Sequence, residues 1–238
     1  MNSIPYVQIR DQKYAQFFEE ERYADKEMSD KEKDGLISYL NELIDEYSQG
    51  LPFIISERER LKDLKDGVHC LNNTIYSIAL FVLITIIDSV VATKYFTLAD
   101  KEYDRRFMRG KLRVILNEGF KRLYGFDEKT KTKSEWHKLE PLMSYFPEII
   151  KSQYAELSQL LDKHATSSTW WRDARNVETH LDAEKLYESR NESIAEYRVY
   201  ADTMKLFNTL SSVLLFLTNI NGCILNSTLK MDERGDVK

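Results

Sequence analysis

The sequence is poor in the residues that break regular structure. Its 238 residues include only 8 glycines and 4 prolines. Twelve such residues leave little material for the tight turns of a β-sandwich or barrel, so an all-β fold is excluded. Two cysteines, Cys70 and Cys223, cannot build a disulfide framework. Each lies in an apolar stretch, so both are expected to be buried free thiols in a reducing compartment. The N-terminal segment lacks a basic region followed by an apolar run, so no secretory signal is expected. The expected setting is cytoplasmic, and the glycosylation sequons at Asn72, Asn191 and Asn226 then carry no meaning.

Phosphate-cradling and metal-binding motifs are missing as well. There is no P-loop, no G-x-G-x-x-G, no H-E-x-x-H and no CxxC pair. The four histidines, His69, His137, His164 and His180, are too scattered to propose a metal site, and no cofactor is expected. What the chain does contain is apolar and charged residues in helical order, 42% and 31% respectively. That apolar content can bury a core, which excludes a disordered chain.

The patterning predicts an all-α bundle of seven or eight helices. From Ser29 to Gln49, apolar residues recur at Leu36, Ile37, Leu40, Leu43, Ile44 and Tyr47, with Ser29 or Asp30 as cap and Gly50 as stop. Leu51–Ile55, with Pro52, reads as a connection. Arg58 to Phe96 reads as a charged lead-in to an apolar helix, interrupted at Gly67. Asp100 is the expected cap of a helix running to Tyr124 and stopped by Gly125. Residues 127–134 read as a loop, and Glu135–Tyr145 and Pro147–His164 as two helices. Asn191 is the expected cap of a long final helix. Residues 1–50 are read as an acidic N-terminal extension, 55–230 as the bundle and 231–238 as a polar tail.

Two stretches, Ile75–Val91 and Leu206–Leu225, approach the length of a membrane span. Asp88 interrupts the first; Asn208, Asn219 and Asn221 interrupt the second. Both are therefore expected to be core helices buried nearly all round, with no membrane partner. Their polar residues must then find partners or face a site.

Charge is unevenly spread. Residues 1–50 carry 12 acidic against 6 basic side chains, whereas residues 101–138 carry 12 basic against 6 acidic. Arg105, Arg109 and Arg113, four apart, form one helical stripe. That stripe is a candidate RNA track, and the plainer alternative is a solvated face with scattered ion pairs.

One segment carries chemistry of its own: Arg175-Asn176-Val177-Glu178-Thr179-His180. It resembles the Arg-x4–6-His signature of the HEPN superfamily (higher eukaryote and prokaryote nucleotide-binding), with the favoured polar residue, Asn176, directly after the arginine. The resemblance covers residues 55–230 and implies an all-helical bundle. It implies metal-independent endoribonuclease activity of the toxin or defence kind, with Arg175, Asn176 and His180 as catalytic residues. It also implies a homodimer through the Arg175–His180 surface, with an antitoxin or effector as a further partner. Other members are non-catalytic modules that bind a nucleotide, RNA or protein partner, and that alternative stays open.

Such chemistry needs no metal, because RNA supplies its own 2′-hydroxyl nucleophile. A histidine with an ordinary pKa near 6.5 can move protons at neutral pH. An arginine stays cationic and can grip a phosphate oxygen. On a regular helix, residues five apart stand about 140° apart around the axis, so Arg175 and His180 would not share a face. A break in the helix, or action across a dimer axis, is expected instead, with Asp88 as a candidate partner to hold Arg175. Trp170 and Trp171 are read as core or interface anchors.

Overall fold

In the computed structural model, the described residues are 28–63, 67–167, 171, 184–185, 187–188 and 196–234. Among them are seven α-helices, one long 3-10 helix and no strand. The helices are α1 (Asp30–Ser48), α2 (Leu51–Leu61), α3 (Gly67–Leu98), α4 (Glu102–Leu123), α5 (Glu128–Lys131), α6 (Glu148–Thr166) and α7 (Glu196–Arg234), and the 3-10 helix is Trp136–Tyr145. The all-α reading holds. Asn191 lies outside the described residues.

Helix α1 starts as its sequence dictates. Ser29 accepts from the Glu32 backbone N–H while the Glu32 carboxylate accepts from the Ser29 N–H at 2.8 Å, a reciprocal capping box. Gly50 ends α1 but in right-handed helical backbone, so the chain runs on into α2. The expected connection at 51–55 is therefore helical: Pro52 sits in the first turn, where its missing N–H costs nothing.

Three further boundaries differ from expectation for local reasons. Lys101, not Asp100, is the N-cap of α4, and Glu102 and Asp104 supply negative charge to the first turn instead. The stretch expected as a loop contains α5, capped by Asp127 through Thr130. Residues 136–145 wind as a 3-10 helix with Pro141 inside, where an α-helical interior would set the ring against the carbonyl four residues back. Gly125, at φ +88°, turns the chain after α4 as expected; a Cβ there would lie 2.5 Å from the Lys131 nitrogen.

Helix α3 is the axis of the fold and packs against α1, α2, α4 and α7, while α6 packs against α7. Ile75, Ile78, Ala79, Val82, Leu83 and Ile86 of α3 are buried against Leu206, Phe207, Leu210, Val213, Leu214 and Leu217 of α7 within one continuous core. Helix α1 shares that core through Leu36, Leu40, Leu43 and Tyr47. The Tyr47 ring meets Phe207 edge-on at 5.6 Å, and its hydroxyl lies 2.8 Å from Ser211 Oγ.

Both long apolar helices are long and apolar enough to cross a membrane, and 61% of each apolar window is buried inside the protein. Their polar interruptions have distinct fates. Asn221 donates to the Tyr76 hydroxyl at 3.1 Å, Asn219 donates to Gln153 at 3.4 Å, and Asn208 is exposed. Asp88 is exposed too, so α3 is not buried all round as expected. Cys70 is exposed, and Cys223 is half-buried at the edge of the core, so the expectation of two buried thiols is also corrected. Asn72, the first sequon residue, is buried on α3.

Candidate functional site

The site is built on α4. Its four-residue spacing places Arg105, Arg109, Arg113 and Asn117 on one stripe, and that stripe faces inward. Arg109 is 6% exposed and Arg113 only 1%, and neither is without a partner. Arg105 is bound by the Glu196 carboxylate at the start of α7 and donates to the Ala99 carbonyl at 3.2 Å. The outward phosphate track expected of these arginines is therefore not formed, and neither is a solvated face. Spacing showed that the three share a face but not which way it turns. Leu112 and Leu116, buried beside them, draw the same face toward the core.

Asn117 continues the stripe, fully buried, and its side-chain amide donates to the Trp171 carbonyl at 3.3 Å. The Trp171 indole is itself buried, with ring centroids 5.9 Å from Phe120 and 6.0 Å from Phe126. Trp171 is thus the core anchor expected of it. Trp171 and Glu196 are thus both held by the same helix, at Asn117 and at Arg105, about 18 Å apart along α4. Arg175 follows Trp171 by four residues. Arg175, Asn176 and His180, together with Trp170, lie outside the described residues.

Beside this anchor stands a histidine that spacing did not single out. His164, in the last turn of α6, lies with its ring 6.3 Å from Phe120 and its Nε2 2.8 Å from Thr209 Oγ1. Thr209 already donates its hydroxyl proton to the Lys205 carbonyl at 3.1 Å. Nε2 must therefore be the donor, which puts the proton of the neutral ring on Nε2. Burial, reinforced by the Lys205 charge, holds this imidazole below the ordinary histidine range. It is neutral at physiological pH.

A second polar knot ties α5 to α6. Lys131 donates to Asp162 at 2.6 Å and lies 5.3 Å from the Tyr124 ring centroid. His137 packs on the other aromatic contact of Tyr124 at 5.2 Å, its Nδ1 2.9 Å from Ser134 Oγ. Burial, then the neighbouring Asp162, pushes the Tyr124 hydroxyl far above its usual range, so it serves as a neutral donor to the Ser158 carbonyl. Lys131 holds the Asp162 carboxyl below the ordinary aspartate range. These groups clamp the short helix and leave no nucleophile poised. No three His, Cys, Asp or Glu side chains among the described residues converge as metal ligands.

Asp88, expected near Arg175, makes no hydrogen bond or ion pair among the described residues. Partial burial among apolar neighbours alone raises its carboxyl above the usual range. In comparison with known proteins, no family model, no curated protein and no solved structure matches this chain.

Proposed function

We propose that this protein is a metal-independent endoribonuclease of the HEPN type, with Arg175, Asn176 and His180 as its catalytic residues. The observation that carries this reading is the Arg-Asn-x-x-x-His segment itself, set in a helical chain four residues beyond a buried tryptophan. In the proposed reaction the 2′-hydroxyl of RNA attacks the adjacent phosphorus and expels the 5′-oxygen of the next nucleotide. His180 moves the proton, and Arg175 offsets the charge that develops on the phosphate oxygens. Asn176 orients the ribose or the imidazole. The products are a 2′,3′-cyclic phosphate and a free 5′-hydroxyl.

Two features support the reading. The fold is all-α, as the resemblance requires. The described residues on either side of the segment, Trp171 and Glu196, are both fixed to α4. A homodimer, as the resemblance implies, would bring two such segments together.

The test is cleavage of RNA by purified protein in the presence of EDTA, comparing the wild type with Arg175→Ala and His180→Ala. Cleavage leaving cyclic phosphate ends, lost in both folded variants, would establish the reading. Equal cleavage by all three proteins, or none by the wild type on any RNA tried, would replace it with the non-catalytic module.

A further inference from the structure

One face of the central helix has no partner among the described residues. Along α3, Ile84, Asp88, Val91, Tyr95 and Leu98 follow each other at spacings of four, three, four and three, which keeps them in one stripe about 21 Å long. Ile84 is 42% exposed, Tyr95 53% and Leu98 45%, and Ile87 and Val91 are half-exposed beside them. The stripe begins beyond Phe81, whose ring is covered by the Arg122 guanidinium at 4.6 Å. The rings of Tyr103 and Phe107 at the start of α4 are exposed as well. An exposed apolar stripe of this length marks a docking surface.

From its sequence symmetry and charge, we infer that this face docks a second copy of the same chain, α3 against α3 in antiparallel sense, about a two-fold axis beside Val91. Such an axis sets each residue n places before Val91 level with the residue n places after it in the other copy. Ile84 then meets Leu98, Ile87 meets Tyr95, and Val91 meets itself, so apolar groups cover apolar groups. Asp88 comes level with Lys94 and Tyr95 of the other copy. Lys94 is the only other acidic or basic residue between Cys70 and Leu98, and its ammonium leans over the Tyr95 ring at 5.8 Å. Both groups that could satisfy the carboxylate therefore arrive together. Asp88 is exposed in the single chain and has no partner among the described residues; covering this face would strip its water, which is costly unless something pairs with the carboxylate.

The same carboxylate argues against a lipid surface as the occupant. It stands in the middle of the stripe, where hydrocarbon offers it nothing. A second copy offers it an ammonium and a phenol.

The inference stands on α3 alone and is independent of RNA cleavage, so a catalytically dead His180→Ala protein should self-associate like the wild type. The experiment measures mass in solution by light scattering for the wild type and for Asp88→Lys, with circular dichroism to show that both are folded. A third protein carries Val91→Cys in a Cys70→Ala, Cys223→Ala background and is oxidised. The expected result is a self-associated wild type, an Asp88→Lys protein of lower mass that has lost the α3 contact, and a Val91→Cys chain that crosslinks to itself. A monomeric wild type would overturn the inference. So would a dimer that neither responds to Asp88→Lys nor crosslinks at position 91, or a wild type that stays in solution only with detergent or vesicles.

Discussion

Gly119 of α4 lies directly against Thr85 of α3: a methyl group on Gly119 would stand 2.5 Å from Thr85 Cγ2. The two central helices approach this closely only because one of them presents no side chain there. Thr85 cannot easily rotate away, since its hydroxyl donates to the Phe81 carbonyl at 2.9 Å.

This contact makes the first prediction. Alanine is the better helix former by about 1 kcal/mol, yet Gly119→Ala should destabilise the protein by about 1–3 kcal/mol through overpacking. Thr85→Ser removes the clashing methyl and keeps the hydroxyl, so the double variant should recover most of the loss. Thermal unfolding of the two single variants and the double variant would decide it; additive losses would show that the contact is not the cause.

The second prediction concerns the anchor of the proposed catalytic segment. Trp171→Ala removes a buried indole packed against both Phe120 and Phe126 and should cost about 3–5 kcal/mol. Asn117→Ala leaves the ring in place but strands the Trp171 carbonyl, at a cost of about 1–3 kcal/mol. If the anchor positions Arg175 and His180, Asn117→Ala should also slow RNA cleavage under conditions where the variant is fully folded. Urea titration and single-turnover cleavage separate the two effects.

Tyr47→Phe tests how firmly α1 is joined to the rest. The variant keeps the edge-on contact with Phe207 and deletes only the hydroxyl that meets Ser211. A loss of about 1 kcal/mol is expected from a single buried hydrogen bond. Pairing it with Ser211→Ala should cost little more, because the second change removes the group that the first left unsatisfied.

Stability should depend on pH through His164. Its folded pKa lies below the unfolded value of 6.5, so the unfolded chain binds the extra proton first as pH falls. The stabilising contribution is therefore complete above about 6.5 and is lost progressively as pH drops toward the folded pKa. His164→Gln, which can still donate to Thr209, should flatten the melting-temperature profile in that window. The Asp162 contribution belongs to a different range: its folded pKa is depressed, so it is lost only as pH falls through and below the aspartate value of 3.8. An unchanged slope below 6.5 in His164→Gln would assign the acid sensitivity elsewhere.

Helices with a clean apolar face were legible from spacing alone. Leu36, Leu40, Leu43 and Tyr47 are the buried face of α1, and Ser29 caps it. Less legible were features decided by neighbours distant in sequence. The arginine stripe of α4 has the same spacing whether it faces water or protein, and only Trp171 and Glu196, fixed against the helix from 54 and 91 residues away, reveal the inward answer. The exposed side of α3 was hidden for the opposite reason. An almost wholly apolar helix carries no internal sign of which side lacks cover, and Asp88 was the single residue that marked it. His164 was read only as the end of a helix, because its partners Phe120 and Thr209 come from two other helices. The segment read as catalytic, Arg175–His180, was found by motif and lies outside the described residues.

The pairing of Tyr47 with Ser211 spans 164 residues, and this has a consequence in time. At about 5–20 residues per second of synthesis, α1 waits roughly 10–30 s for its partner on α7 to be made. Helix α3, the most apolar segment of the chain, waits nearly as long with its α7-facing side bare. The nascent chain is therefore a natural client for chaperones that hold apolar helices, and a message cut short before α7 would yield a product bound for aggregation or proteolysis rather than a smaller working domain.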